Sequence, residues 1–189
     1  MAIVIHRPLH LFRLRFPVML QVNVSNGLVY LRGQGACKKV ASGESFRVPA
    51  FLRFDCDVVA GPTRPASFSF STASDAPLPL AANDETKNWS RQIAHTIFMS
   101  PKSNWSVSEV ASCWHVTSQK VRSRLFAEGE ALSSLVREQR VAHTLCAVTA
   151  LRQAPADQLL ARSGFSSMAA LSAACMAMVG VSAETLLGG

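Results

Sequence analysis

The chain lacks the short signatures that announce chemistry. It has no Cys-x-x-Cys pair among its five cysteines, no Gly-rich phosphate loop and no Gly-x-Ser-x-Gly elbow. His6 and His10 stand one helical turn apart, but they precede a strand-like stretch and have no third ligand, so no metal site is expected. His95, His115 and His143 are scattered along helical text. With no constellation of nucleophile, base and oxyanion donor, catalysis is not expected and no cofactor is implied. The cysteines Cys37, Cys56, Cys113, Cys146 and Cys175 form no disulfide framework, three of them fall on apolar helix faces, and they read as reduced cytosolic thiols. Cys56, flanked by Asp55 and Asp57, is the one candidate redox sensor. Long apolar runs are missing too. The opening MAIVIHRPLHLFRLRFPVML is broken by Arg7, Arg13, Arg15 and two prolines, which argues against a signal-peptide core or a membrane span and for a cytoplasmic protein.

Acidic residues are also few. Against 19 lysines and arginines there are 12 aspartates and glutamates, giving a formal net charge of +7 and a pI near 9.7. That balance favours an anionic partner, nucleic acid first and a membrane surface second. With 189 residues, 49% of them hydrophobic, the chain is long enough to bury a core in one or two domains.

What is present divides in three. From about Leu9 to Val59 the text is strand-like: LFRLRF alternates, VMLQVNV follows, Ser25-Asn26-Gly27 turns, LVYLRG continues, and FRVPAFLRFDCDVV comes after Ser42-Gly43-Glu44. Between Gly61 and Lys87 neither period persists and Pro62, Pro65, Pro77 and Pro79 alternate with small polar residues, the composition of a linker. Phe68 and Phe70 could add a last edge strand, which puts the end of a small antiparallel β domain near Asp75, a linker over 76–87 and a helical domain over 88–189. In that last part Asp84 is placed to cap a helix striped by Trp89, Ile93 and Ile97, which ends at Ser100 because Pro101 disfavours helical geometry before it.

The most informative stretch runs from Trp105 to Leu145. Ser106 and Glu109 form a capping box, and Val107, Val110 and Ala111 follow at helical spacing, so a helix runs to about Trp114. His115 is suited to a left-handed corner, and Thr117 caps a second helix over about 118–128. There Val121 and Leu125 face inward, leaving Ser118, Gln119, Lys120, Arg122 and Ser123 on or beside the outer surface. A helix, a corner and a basic helix are the parts of a module that enters the DNA major groove.

The pattern TSQKVRSRLFAEGEALSSLVREQR over 117–140, with Gly129 four residues after Leu125 and Arg140 eleven after Gly129, resembles the first DNA-binding half of AraC/XylS transcription regulators. After a connecting helix at about 132–150, LLARSGFSSMAALSAACMAMVGVSAETL resembles the second half, with Gly164-Phe165, Leu171 and Gly180-Val181-Ser182 in order. The two segments cover about residues 85 to 187, and two halves at the right separation are far more specific than a lone motif. The resemblance implies an α+β chain: a trimmed, cupin-like antiparallel β domain, here suited to dimerisation or a protein partner, then tandem helix-turn-helix units at 105–129 and 157–182. It also implies a regulator of transcription, more often an activator, that binds promoter DNA near RNA polymerase. Carried across by position, Gln119, Arg122 and Ser123 fall where such proteins contact base edges, although Ser123 replaces a common arginine. Arg122 is the best candidate for a bidentate guanine contact, Lys120 and Arg124 are candidates for phosphates, and Arg140 is expected to be structural.

The second half departs from the pattern. Its recognition helix reads SMAALSAACMAM over 167–178, with Ala173 and Met176 where basic residues are usual, and from Asp157 to Gly189 the only cation is Arg162. Only Ser167 and Ser172 offer polar reach to bases, so DNA contact there would be weak. Either this half braces the first, or a surface bearing Met168, Met176 and Met178 meets another protein; the same methionines could equally fill a core. The alternative for the whole chain is therefore a protein-interaction module or co-regulator on the same fold.

Overall fold

The computed structural model describes residues 2–61, 64–72, 88–150 and 156–187. Eight strands come first: β1 Ile3–Ile5, β2 Leu9–Arg15, β3 Leu20–Asn26, β4 Leu28–Gly33, β5 Ala36–Ala41, β6 Ser45–Val48, β7 Arg53–Val59 and β8 Ala66–Thr72. They form two four-stranded antiparallel sheets in the orders β1-β8-β3-β6 and β2-β7-β4-β5, which is the interleaved two-Greek-key arrangement of a jelly roll. The β domain is therefore complete in strand number, and its small size comes from short strands and tight turns. Alternating residues of both sheets, among them Leu11, Leu20, Val22, Val29, Phe68 and Phe70, meet in one interior.

Several expectations change here. The strand bearing Phe68 and Phe70 is no edge strand: β8 lies between β1 and β3, with Phe70 opposite Val22 and Phe68 opposite both Ile3 and Val24. Residues 66–72 thus form an interior strand of the β domain. The run FRVPAFLRFDCDVV is two strands, parted at a turn where Phe51 takes a left-handed φ of 63° and donates its amide to Phe16 O. Cys56 is fully buried, because strand alternation turns it inward and its flanking aspartates outward; burial pushes its thiol up to about 12, which removes it as a redox sensor. Cys113, expected on an apolar face, is exposed. The Asp75 boundary, the 76–87 linker and the Asp84 cap lie outside the described residues.

The helices are α1 Trp89–Met99, α2 Val107–Cys113, α3 Ser118–Ala127, α4 Leu132–Ala150, α5 Ala156–Ser163, α6 Met168–Val179 and α7 Ala183–Leu186. The first turn of α1 is closed from a distance: the amides of Trp89 and Ser90 donate to the two carboxylate oxygens of Glu128, both at 2.8 Å.

Two apolar cores organise the molecule, and the boundary between them is not the boundary between β and α. One gathers Trp89, Ile93, Ile97, Val110, Val121, Leu125, Leu132 and Leu135 from α1 to the start of α4. The other runs continuously from the β sandwich into α4, α5, α6 and α7 through Phe16, Phe70, Phe98, Leu145, Leu159, Leu171 and Val179. The seam between sandwich and helices is specific. Thr149 donates its hydroxyl to Phe70 O at 2.6 Å. Gly180, at φ 81°, caps α6 directly under the ring of Phe12, and any Cβ there would collide with that ring. Between the two cores sits Gln139 of α4, fully buried with neither amide atom hydrogen-bonded.

Candidate nucleic-acid interface

The first helix-turn-helix is built by short-range rules. Ser106 caps α2 by accepting from the Glu109 amide at 3.1 Å, and Thr117 caps α3 by accepting from the Lys120 amide at 3.2 Å. Between them His115 takes the left-handed corner, φ 53°, with its amide on Ser112 O and that of Val116 on Ala111 O. Val121 and Leu125 anchor α3 inward at 0% and 2% exposure. Trp114 and Trp89 meet edge to face, 4.9 Å apart, fixing α2 against α1.

With that face anchored, Gln119, Lys120, Arg122 and Ser123 stand exposed, while Ser118 and Arg124 are half-buried. They do not form one cluster. Gln119, Arg122 and Ser123 share the outer stripe at i, i+3 and i+4, whereas Lys120 and Arg124 lie along one flank and Ser118 on the other. Arg124 folds back, its guanidinium 6.0 Å from the Trp89 ring, so it reaches less far than a free arginine. Residues 118–127 contain three cations and no acidic residue. Phe126, which no sequence motif singles out, falls at i+7 from Gln119 on the same stripe and is 85% exposed. The signal was its spacing. Beside it an open groove of about 510 Å³ is lined by Val107, Leu125, Ala131 and Leu132.

The second unit is shaped differently. Ser167 caps α6, accepting from the Ala170 amide at 3.2 Å. The Ser172 hydroxyl donates to Glu184 at 2.5 Å and accepts from the Ala183 amide, so it is engaged in tying α6 to α7. The outward residues of α6 are Ala169, Ala173, Met176 and Ala177; Met176 is 54% exposed, while Met168 and Met178 pack against the core.

Two arginines fasten the first unit to its neighbours. Arg140 of α4 donates to Pro101 O at 2.8 Å and Ser103 O at 3.1 Å and lies 6.0 Å from the Phe165 ring, the structural role its position suggested. Gly164, φ 78°, passes so close to Pro101 O that no side chain fits. Arg15 of β2 donates to Glu138 at 2.8 and 2.5 Å and to Glu130 at 2.7 Å, linking the sandwich to the foot of α3. Burial opposes the charge on Arg15, but these carboxylates outweigh it and raise its pKa above the ordinary arginine value. On the outer sheet face Asp57 is paired with His10 and Arg32. Among the described residues no three histidines, cysteines or carboxylates gather as a metal site, and no helix is long and apolar enough to cross a membrane.

No known protein family and no curated protein matches the sequence significantly. Solved structures do. ToxT from Vibrio cholerae aligns over 100% of this chain and 97% of its own, at 8% identity and a TM-score of 0.62. ToxT of strain O395 aligns over 99% and 95%, at 11% identity and a TM-score of 0.64. The chain has the ToxT fold. A ToxT structure with bound unsaturated fatty acid, from strain SCE256, aligns over 98% and 92%, at 8% identity and a TM-score of 0.62. The ToxT-like frame covers both the β domain and the tandem helical units.

Proposed function

We propose that the chain is a sequence-specific DNA-binding regulator of transcription that reads the major groove with α3. The observation that carries this reading is the stripe of Gln119, Arg122 and Ser123, held clear of the protein by buried Val121 and Leu125 on a capped helix with three cations and no acid. Arg122 offers a planar pair of donors to guanine O6 and N7, Gln119 suits an adenine edge, and Lys120 with Arg124 holds the phosphates on one flank. The α6 unit acts as a brace: its outer residues neither neutralise phosphates nor carry long polar side chains. The resemblance to AraC/XylS regulators supports activation, with RNA polymerase as the neighbouring partner, a cytoplasmic setting, and pairing of two copies to give two half-sites the affinity one α3 lacks.

The cation-free outer surface of α6 favours a second reading, a co-regulator that works by binding another protein. One experiment separates them: fragments of source genomic DNA are captured at near-physiological salt by the protein and by Arg122→Ala. A DNA reader yields a shared motif, a steep loss of affinity with added salt, and a loss of about 10- to 100-fold in Arg122→Ala, the equivalent of about 1 to 3 kcal/mol. Capture that is equally unspecific for both proteins would leave the co-regulator.

A further inference from the structure

We infer that Phe126 completes the base-reading stripe of α3 by packing on the C5-methyl group of a thymine, so that the operator half-site carries a thymine within about two base pairs of the guanine met by Arg122. The inference rests on the DNA-reading role of α3 and adds a base and a chemical group to it.

Phe126 is the most exposed large apolar side chain among the described residues, at 85%, ahead of Met99 at 60% and Met176 at 54%. Its neighbour Leu125 already fills the core at 2% exposure, so the ring is not needed for packing. Helical geometry puts Gln119, Arg122, Ser123 and Phe126 at i, i+3, i+4 and i+7, and advancing 100° per residue places Phe126 between Arg122 and Ser123 around the axis. Along the axis Arg122 and Phe126 are separated by about 6 Å, close to two steps of about 3.4 Å in the duplex.

A phenyl ring donates and accepts no conventional hydrogen bond, and the one apolar group a base edge presents in the major groove is the thymine methyl. The ring is free to meet it. It lines the open groove of about 510 Å³, whose other walls include Val107, Glu130, Ala131 and Leu132, and among the described residues nothing covers it beyond the 15% of its surface that is buried. Charge selects the occupant: Lys120 and Arg122 stand exposed on the same helix, and Glu130, the one acid lining the groove, is already paired with Arg15, so the surface fits a polyanion better than an ordinary protein.

The test uses the motif captured by the full chain. Each thymine in a half-site is replaced in turn by deoxyuridine, which removes the methyl and nothing else, and affinities are measured for the protein, Phe126→Ala and Arg122→Ala. At one thymine the unaltered protein is expected to lose about four-fold, the worth of one methyl buried against carbon, and 5-methylcytosine opposite guanine at that position is expected to recover part of it. Phe126→Ala is expected to bind the two duplexes equally and to melt at an unchanged temperature, since an exposed side chain is being removed. Two results overturn the inference alone: a motif lost in Arg122→Ala but indifferent to deoxyuridine at every position, or a methyl effect that persists in Phe126→Ala, as it would if the ring served a protein partner. Failure of any motif to emerge overturns the DNA reading and this inference together.

Discussion

The two helix-turn-helix units share a layout and differ in what lies on either side of their second helices, α3 and α6. In the first, α3 turns Val121 and Leu125 into a core of its own and presents Gln119, Arg122, Ser123 and Phe126 outward. In the second, α6 turns Leu171, Ala174 and Cys175 into a core shared with the β sandwich and presents alanines and Met176. One unit is free and charged; the other is fused and bare. A helix that must enter a groove needs an unencumbered cationic face, whereas a helix that joins domains needs small residues and close contact, as Gly180 under Phe12 shows. The difference teaches that duplication of a motif does not oblige both copies to do the same task.

Breaking the shared core should have the largest effect. Leu171→Ala, at a fully buried site, is expected to cost about 3 to 4 kcal/mol and to lower hydrogen-exchange protection in the β sandwich as well as in α5 and α6. Loss confined to the helices would mean that the sandwich has an independent core. Next is the clasp. Arg15→Ala strands Glu130 and Glu138, whose side chains are only 18% and 11% exposed, and is expected to cost about 2 to 3 kcal/mol in urea denaturation. A change under about 0.5 kcal/mol would show the clasp to be ornamental.

The smallest expected effect is a pH dependence at the junction of α1 and α4. Burial lowers the pKa of His143, with Arg162 adding to the effect and a hydrogen bond to Phe98 O opposing it. The unfolded imidazole takes its proton near pH 6.5, before the folded one does, so stability is complete above that value and declines as pH falls below it, by no more than about 1.4 kcal/mol per pH unit. His143→Gln is expected to flatten the decline between pH 7.5 and 5.5, the remainder arising from His95, whose pKa burial also lowers. An identical slope in the variant would remove His143 from the account.

Legibility in the sequence followed the range of the interactions. Ser106, His115 and Thr117 act on residues three or four positions away, and both ends of α2 and the start of α3 could be read from such neighbours, whereas the span of α4 came from the family resemblance. The strand pairing of the jelly roll could not. Phe68 finds Val24, 44 positions earlier, only once both sheets have closed, and no local pattern distinguishes an edge strand from an interior one. Cys56 and Phe126 were legible in principle. Strand alternation already turns Cys56 away from Asp55 and Asp57, and helical spacing already aligns Phe126 with Arg122. Arg15 reaching Glu130 and Glu138 was not, because 115 and 123 residues of chain separate the partners.

The place where the molecule comes apart most naturally lies inside a helix. The front of α4 belongs with α3, its rear with the sandwich, and Gln139 marks the change. A chimaera joined between the sandwich and α1 would set a foreign Leu145, Leu159 and Leu171 against this β surface and ask two unrelated patterns of side chains to interlock. One joined at Gln139 would hand over α1, α2 and α3 with the core they share intact, leaving only Phe98 of α1 to be matched to the frame that receives them.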